Sequence, residues 1–222
     1  NTMFLASVAG VFKSVDGGET WRSVNSGLPS LYVQTLAIDP QNQNRVYAGT
    51  RSGVFKSTDG GETWNIIFDG ESRFALAIDP KDSDTIYVAP YNEPVFKSTD
   101  GGVSWKASSQ RLSPYVLMLM VDPQVPGTIY ACCASSFVPE TGLWRSVDGG
   151  ENWTDTGLKS LHSIAIDHRN SAILYAGTDS GVFKSTDRGK TWSPMNLGMQ
   201  ATEFRVLAVN PQNPNTVYAS IG

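Results

Sequence analysis

The chain has 222 residues, 40% of them hydrophobic, and its 17 basic and 21 acidic side chains leave a formal net charge of −4 with a pI near 5.1. The basic residues are scattered singly, which argues against nucleic acid as the main partner, and no apolar run approaches the roughly 18 residues of a membrane-spanning helix. Cys132 and Cys133 are neighbours in sequence and supply neither a disulfide framework nor zinc-ligand spacing.

Taken in order, the chain opens on a short strand-like run, Asn1 to Ser7, followed by Gly10-Val11-Phe12-Lys13-Ser14, which runs into the octet Ser14 to Trp21. Close copies of that octet follow at Ser57 to Trp64, Ser98 to Trp105, Ser146 to Trp153 and Ser185 to Trp192. Their aspartates, Asp16, Asp59, Asp100, Asp148 and Asp187, recur about every 43 residues, a period that belongs to repeat architectures. Between octets three further apolar themes recur. One ends in Leu-Ala-Ile-Asp-Pro, as at Leu36 to Pro40 and Leu76 to Pro80, with His168 replacing the proline and Asn210 the aspartate in later copies. The next is Val-Tyr-Ala, as at Val46 to Ala48 and Leu174 to Ala176. The third is Gly-Val-Phe-Lys-Ser at Gly10, Gly53 and Gly181, with Pro94-Val95-Phe96 and Gly142-Leu143-Trp144 as variants, and the fourth segment begins at each octet's tryptophan.

Four short, β-branched and aromatic segments per repeat, separated by Asp-Pro, Gly-Thr and Asp-Gly-Gly breakers, predict a four-stranded antiparallel meander, strands a to d. Helical periodicity is absent. Such units repeated without linkers predict an all-β fold, a β-propeller of five repeats, and a single domain over residues 1–222, either five blades if closed or a five-repeat fragment of a larger propeller. The start at Asn1, with no basic-then-apolar leader before it, suggests a processed or excised chain. The b-like strand occurs at both ends, so closure by strand exchange leaves one b strand spare and predicts a monomer, or a dimer if the exchange is between chains.

Within the octet, an aspartate ahead of two glycines is the chemistry of a tight turn closed by bonds from following N–H groups, and Trp21, Trp64, Trp105, Trp153 and Trp192 are expected as buried anchors. Five catalytic or metal aspartates are the weaker reading, because a calcium loop alternates several oxygen ligands where each octet has one or two. In the last copy Arg188 replaces the first glycine, so the backbone there accepts a side chain or bends differently. Asn152-Trp153-Thr154 is formally a glycosylation sequon, but Asn152 fills a slot held elsewhere by Thr or Ser. Lys13, Lys56, Lys97, Arg145 and Lys184 occupy one repeated position, expected to be a solvated strand face.

The octet resembles the Asp box, or bacterial neuraminidase repeat, and the whole chain resembles Asp-box propellers such as sialidases, xyloglucanases, sortilin-type receptors and a photosystem-assembly factor. That resemblance implies that the box joins strands c and d on the face away from the active site, and it implies a secreted or periplasmic setting. Function then belongs where the repeats disagree, on the d–a and b–c loops. The ligand-binding candidates there are Arg51, Arg73, Tyr91, Glu93, Tyr115, His162, Asp179 and Arg205, a mixture suited to a polar ligand or peptide.

The enzyme readings lack parts. Phe204-Arg205-Val206-Leu207 lacks the proline of the sialidase motif and follows all five boxes, so it reads as a strand. Tyr175-Ala176-Gly177-Thr178-Asp179 is similar to a xyloglucanase segment bearing one catalytic aspartate, with no visible counterpart for the second. His162 and His168 have no metal-ligand spacing, so neither a metal nor a cofactor is expected. The expectation is a non-enzymatic binding or scaffold module for a protein segment or glycan. The alternatives are a glycoside hydrolase or a piece of one, and an excised or engineered propeller with no activity beyond folding.

Overall fold

A computed structural model describes residues 2–71, 73–108, 112, 116–133, 142–199 and 203–221. Among these residues there are strands and turns and no helix, hence no helix long and apolar enough to cross a membrane. The chain divides into two compact units, Asn1–Ala107 and Ser108–Gly222.

The first unit holds three sheets. The first is β1 (Met3–Ser7), β2 (Gly10–Ser14) and β3 (Arg22–Ser23). The second is β4 (Val33–Ile38), β5 (Val46–Thr50), β6 (Gly53–Ser57) and β7 (Asn65–Asp69). The third is β8 (Phe74–Ile78), β9 (Ile86–Pro90), β10 (Phe96–Ser98) and β11 (Lys106–Ala107). The second unit holds two four-stranded sheets, β12 (Val116–Val121) to β15 (Thr154–Asp155) through β13 (Ile129–Cys133) and β14 (Gly142–Ser146), and β16 (Leu161–Ile166) to β19 (Ser193–Pro194) through β17 (Leu174–Thr178) and β18 (Gly181–Ser185). It ends in the pair β20 (Phe204–Val209) and β21 (Val217–Ile221). All pairings are antiparallel between successive strands, the meander that the four repeated themes predict. Both b-like ends are used, β1 beside β2 and β21 beside β20.

The inner b strands β5, β9, β13 and β17 are buried at all five positions, because each is covered on both faces, and this is why Val-Tyr-Ala runs have no polar alternation. Between sheets sit apolar clusters, such as Val11, Val46, Phe55 and Trp64, then Tyr47, Phe74, Ile86 and Val88, and in the second unit Tyr130, Leu143, Ile164 and Leu174.

The octets form one hydrogen-bond device five times over. The buried first serine donates its hydroxyl to the aspartate Oδ1, at 2.7 Å for Ser14, Ser57 and Ser98 and 2.8 Å for Ser146 and Ser185. The same hydroxyl accepts the N–H of the second glycine at 2.8–2.9 Å, as with Gly61 to Ser57. The other carboxylate oxygen takes a hydroxyl from Thr20, Thr63, Ser104 or Thr191 at 2.5–2.6 Å, and Asn152 serves the same slot with its amide at 2.9 Å. Arg188, in place of the first glycine, adopts φ 60, so the backbone accepts the side chain in the left-handed region. The a–b loops dock on the same side, with Gly60 N–H donating to Asn44 O and Gly101 N–H to Asp84 O.

Three expectations need correction. Trp64 and Trp153 are buried and Trp105 and Trp192 partly so, but Trp21 is 40% exposed. Trp64 and Trp105 lay their indoles against the preceding sheet of the unit, donating to Val24 O and Ile67 O at 2.8 Å, whereas Trp21, in the first sheet of the chain, donates to its own Gly18 O. The repeated cation is not a solvated face. Lys13 donates to Gly60 O at 2.7 Å and to Glu62, and Lys56 to Gly101 O at 2.8 Å, each tying strand c to the box of the next sheet, and Lys56, Lys97 and Lys184 lie over Tyr47, Tyr87 and Tyr175 of their own b strands. Strand d starts one residue after the tryptophan and, except in β7, spans only two residues, while Pro94 and Val95 precede the c strand rather than belong to it. Where d is short, an asparagine side chain stands in for the missing backbone, as when Val11 N–H donates to Asn25 Oδ1 and Val182 N–H to Asn196 Oδ1. A Cβ on Gly10 or Gly181 would meet those asparagines at 2.3 or 2.2 Å, so both positions require glycine.

Trp64→Ala is expected to lower unfolding free energy by about 3–5 kcal/mol and Trp21→Ala by at least about 1 kcal/mol less, read from urea denaturation; equal losses would contradict the burial difference. Hydrogen bonds from the Thr63 side chain and backbone and from Ser57 pull Asp59 from 3.8 to about 2, and the other four box aspartates are lowered too. A depressed folded value means that the stabilisation is complete above about pH 4 and is lost as pH falls toward 2. Thermal melts should therefore show the gap between the wild type and Asp59→Asn at full size at pH 6 and shrinking between pH 4 and pH 2; a gap independent of pH would refute this account of the box.

Candidate functional site

The loops opposite the boxes are aimed by irregularities in strand a. In β4, β12, β16 and β20 the register with strand b slips by one residue near the strand start, skipping Gln34, Leu117, His162 and Arg205. Such a bulge leaves one residue outside the ladder and turns its side chain away from the alternating faces. His162 and Arg205, both candidates from the sequence, owe their place on the loop face to this device.

In the first unit, three candidates converge. Arg51 from the β5–β6 turn, Arg73 just before β8 and Tyr91 from the β9–β10 turn line an open cleft of about 540 Å³ together with Ser52, Glu71 and Asn92. Tyr91 N–H donates to Arg73 O at 2.7 Å, and Asn92 turns the chain at φ 73. Arg51 stacks on Tyr32, with 4.3 Å between its guanidinium carbon and the ring centroid. Two guanidiniums against the single carboxylate of Glu71 make the cleft cationic on an acidic chain. Glu93 is exposed in the same turn, its N–H on Pro90 O, and does not line the cleft. Tyr115 lies outside the described residues.

In the second unit the remaining candidates form a separate cluster. His162 Nε2 and Asp179 Oδ1 share a 2.5 Å hydrogen bond, and the nearby Glu203 pairs with Arg205 at 2.5 Å. Bonds from His162 and from Ser160, with the charge of Arg205, hold the Asp179 carboxyl below its usual range. The turn carrying Asp179 is braced by Thr178, whose hydroxyl donates to Gly181 O at 2.9 Å and accepts Ser180 N–H at 3.1 Å. One donor atom each from His162, Asp179 and Glu203 lies within 4.8 Å of the others. Glu203 and Glu71 are not among the candidates that the sequence offers, because neither stands in a motif and each joins its neighbours only through the fold. The box serines are not among those candidates either, although their fivefold recurrence is visible.

Each carboxylate of the described residues whose pKa departs from its ordinary value departs downward, including Glu62, held at about 2 by Arg22 and Lys13. Cys132 and Cys133 are buried and not joined by a disulfide, and burial pushes the Cys132 thiol up to about 12.

Comparison with known proteins agrees with this architecture. A family model described as BNR/Asp-box repeat matches residues 183–194. The xyloglucanase Xgh74A of Acetivibrio thermocellus is 33% identical over a 92-residue alignment that covers 34% of this chain and 11% of that enzyme. Among solved structures, an ancestral GH74 enzyme superposes with TM-score 0.79 at 22% identity over 96% of this chain and 32% of its own, and YCF48 bound to D1 peptide with TM-score 0.63 at 14% identity over 100% of this chain and 63% of its own. The chain thus spans about a tenth of the curated xyloglucanase and less than two thirds of either structural neighbour, and the likenesses speak for fold rather than activity. With five boxes of one geometry, a matching BNR/Asp-box repeat at residues 183–194 and four-stranded antiparallel sheets, the chain has the all-β fold of a β-propeller built from Asp-box repeats.

Proposed function

We propose that the chain is a non-enzymatic binding module whose b–c and d–a loops receive an acidic protein segment, with a carboxylate of that segment seated between Arg51 and Arg73 beside Tyr91. The observation that carries this reading is the convergence of those three side chains, from three separate loops, on one cleft. A planar guanidinium presents paired donors to a carboxylate, and charge-assisted bonds of that kind are about twice as strong as neutral ones. Arg51 is held against Tyr32, so part of its ordering precedes binding, and the ring of Tyr91 offers a flat wall for an aliphatic or aromatic neighbour. Glu71 at the rim disfavours a second negative charge at that point and so sets register. YCF48, a relative in fold, has been solved with a peptide bound, which makes a peptide the natural class of ligand to test here. A secreted or periplasmic setting is part of the same proposal.

A glycoside hydrolase, or a piece of one, is the second reading, favoured by the stretch matching a xyloglucanase. It requires a carboxylic acid whose pKa is raised so that it can protonate a leaving group. Asp179, the residue in the xyloglucanase-like segment, is shifted downward and tied to His162, which suits the ionised base or nucleophile of such a pair and leaves the acid to be supplied by another carboxylate.

The test is fluorescence anisotropy with a labelled acidic hexapeptide ending in a free carboxylate, against its amidated twin. Saturable binding should weaken about tenfold in Arg51→Ala and in Arg73→Ala, and should fall as salt rises from about 0.05 to 0.5 M, with melting temperatures unchanged. Absence of binding, or affinity indifferent to both arginines, would refute the proposal. Release of reducing ends from xyloglucan that disappears in Asp179→Asn would establish the hydrolase reading in its place.

A further inference from the structure

We infer that His162, Asp179 and Glu203 form a binding site for a divalent transition-metal ion of the Zn2+ type. The inference does not depend on the peptide-binding proposal, whose cleft lies in the other unit. The three donors come from three backbone segments: the bulge of β16, the braced turn between β17 and β18, and the lead-in to β20. Strands β16 and β20 pack side by side within the unit, so the strand bearing His162 and the one that Glu203 precedes are held by sheet packing rather than by loose loops.

The donor set selects the metal. One imidazole nitrogen with two carboxylates suits zinc and its neighbours, whereas magnesium and calcium prefer oxygen alone. Bonds of about 2.0–2.2 Å in a tetrahedral centre set donors roughly 3.4 Å apart. The His162–Asp179 pair must open from 2.5 Å, and the Glu203 carboxylate must draw in from within 4.8 Å. Both are side-chain adjustments, since Asp179 is exposed and Glu203 partly so. Ligation uses the Nε2 lone pair, so in the metal-bound form the ring proton of His162 sits on Nδ1.

Charge favours the exchange. Glu203 is paired with Arg205 and Asp179 is hydrogen-bonded to His162, so each carboxylate already faces a side chain that a metal ion would displace or share. Arg205 is 58% exposed at its side chain, free to swing to solvent when a divalent ion replaces it. Three protein donors leave the remaining coordination positions to water, the pattern of an open rather than a closed site.

The experiment is isothermal titration of the folded chain with Zn2+ alone, with the electronic spectrum of bound Co2+ as a geometric readout. One equivalent should bind with Kd on the order of 1–10 μM. His162→Ala should weaken it at least tenfold, and Asp179→Asn and Glu203→Gln several-fold each. Arg205→Gln should tighten it, and His168→Ala, at an exposed turn position, should leave it unchanged. Circular dichroism of the metal-free variants confirms that they are folded. Absence of saturable binding below millimolar concentration, binding that persists in His162→Ala, or binding lost in His168→Ala would overturn the assignment.

Discussion

The carboxylate at each tight corner of this protein finds its hydrogen-bond partners within eight residues of chain. The buried serine hydroxyl bridges the aspartate and the second glycine's N–H, while a hydroxyl two positions before strand d closes the other oxygen. Because every partner lies inside the octet, the corner needs little from its surroundings, which is why it recurs at five places whose neighbours differ. The two flanking glycines, or Arg188 in the last copy, supply the left-handed backbone that this closure demands.

The same corners also connect sheet to sheet. A lysine on strand c of one sheet donates to a box carbonyl on the next, and a tryptophan leaving that box reaches back to the strand d end of the sheet before it. In the first unit these contacts order the box side and leave the loop side free to vary. There the register slip at the start of strand a turns a side chain out of the ladder without disturbing the rest of the sheet.

On that free side the two units present different chemistry. One gathers guanidiniums around an aromatic ring, the other an imidazole between two carboxylates. Neither arrangement draws on the box aspartates, each of which is bound within its own octet. A repeated frame carrying unrepeated side chains can take up different ligands without retuning its core.

The period, the strand order, the turn chemistry and the face on which the repeats disagree were all legible in the linear chain. Each follows from interactions between residues close in sequence, such as Asp59 with Ser57 and Thr63, or from a pattern repeated often enough to be noticed. What only the tertiary structure decided was which distant residues meet. Trp21 and Trp64 read identically, yet only the second lies buried, against the sheet before it; Lys13 reads as a surface residue, yet the box of the next sheet lies above it. His162, Asp179 and Glu203 come from separate segments with no ligand spacing among them, and their meeting depends on a one-residue slip between strands and on sheet packing. Neither leaves a mark in the order of amino acids, because both are set by long-range contacts.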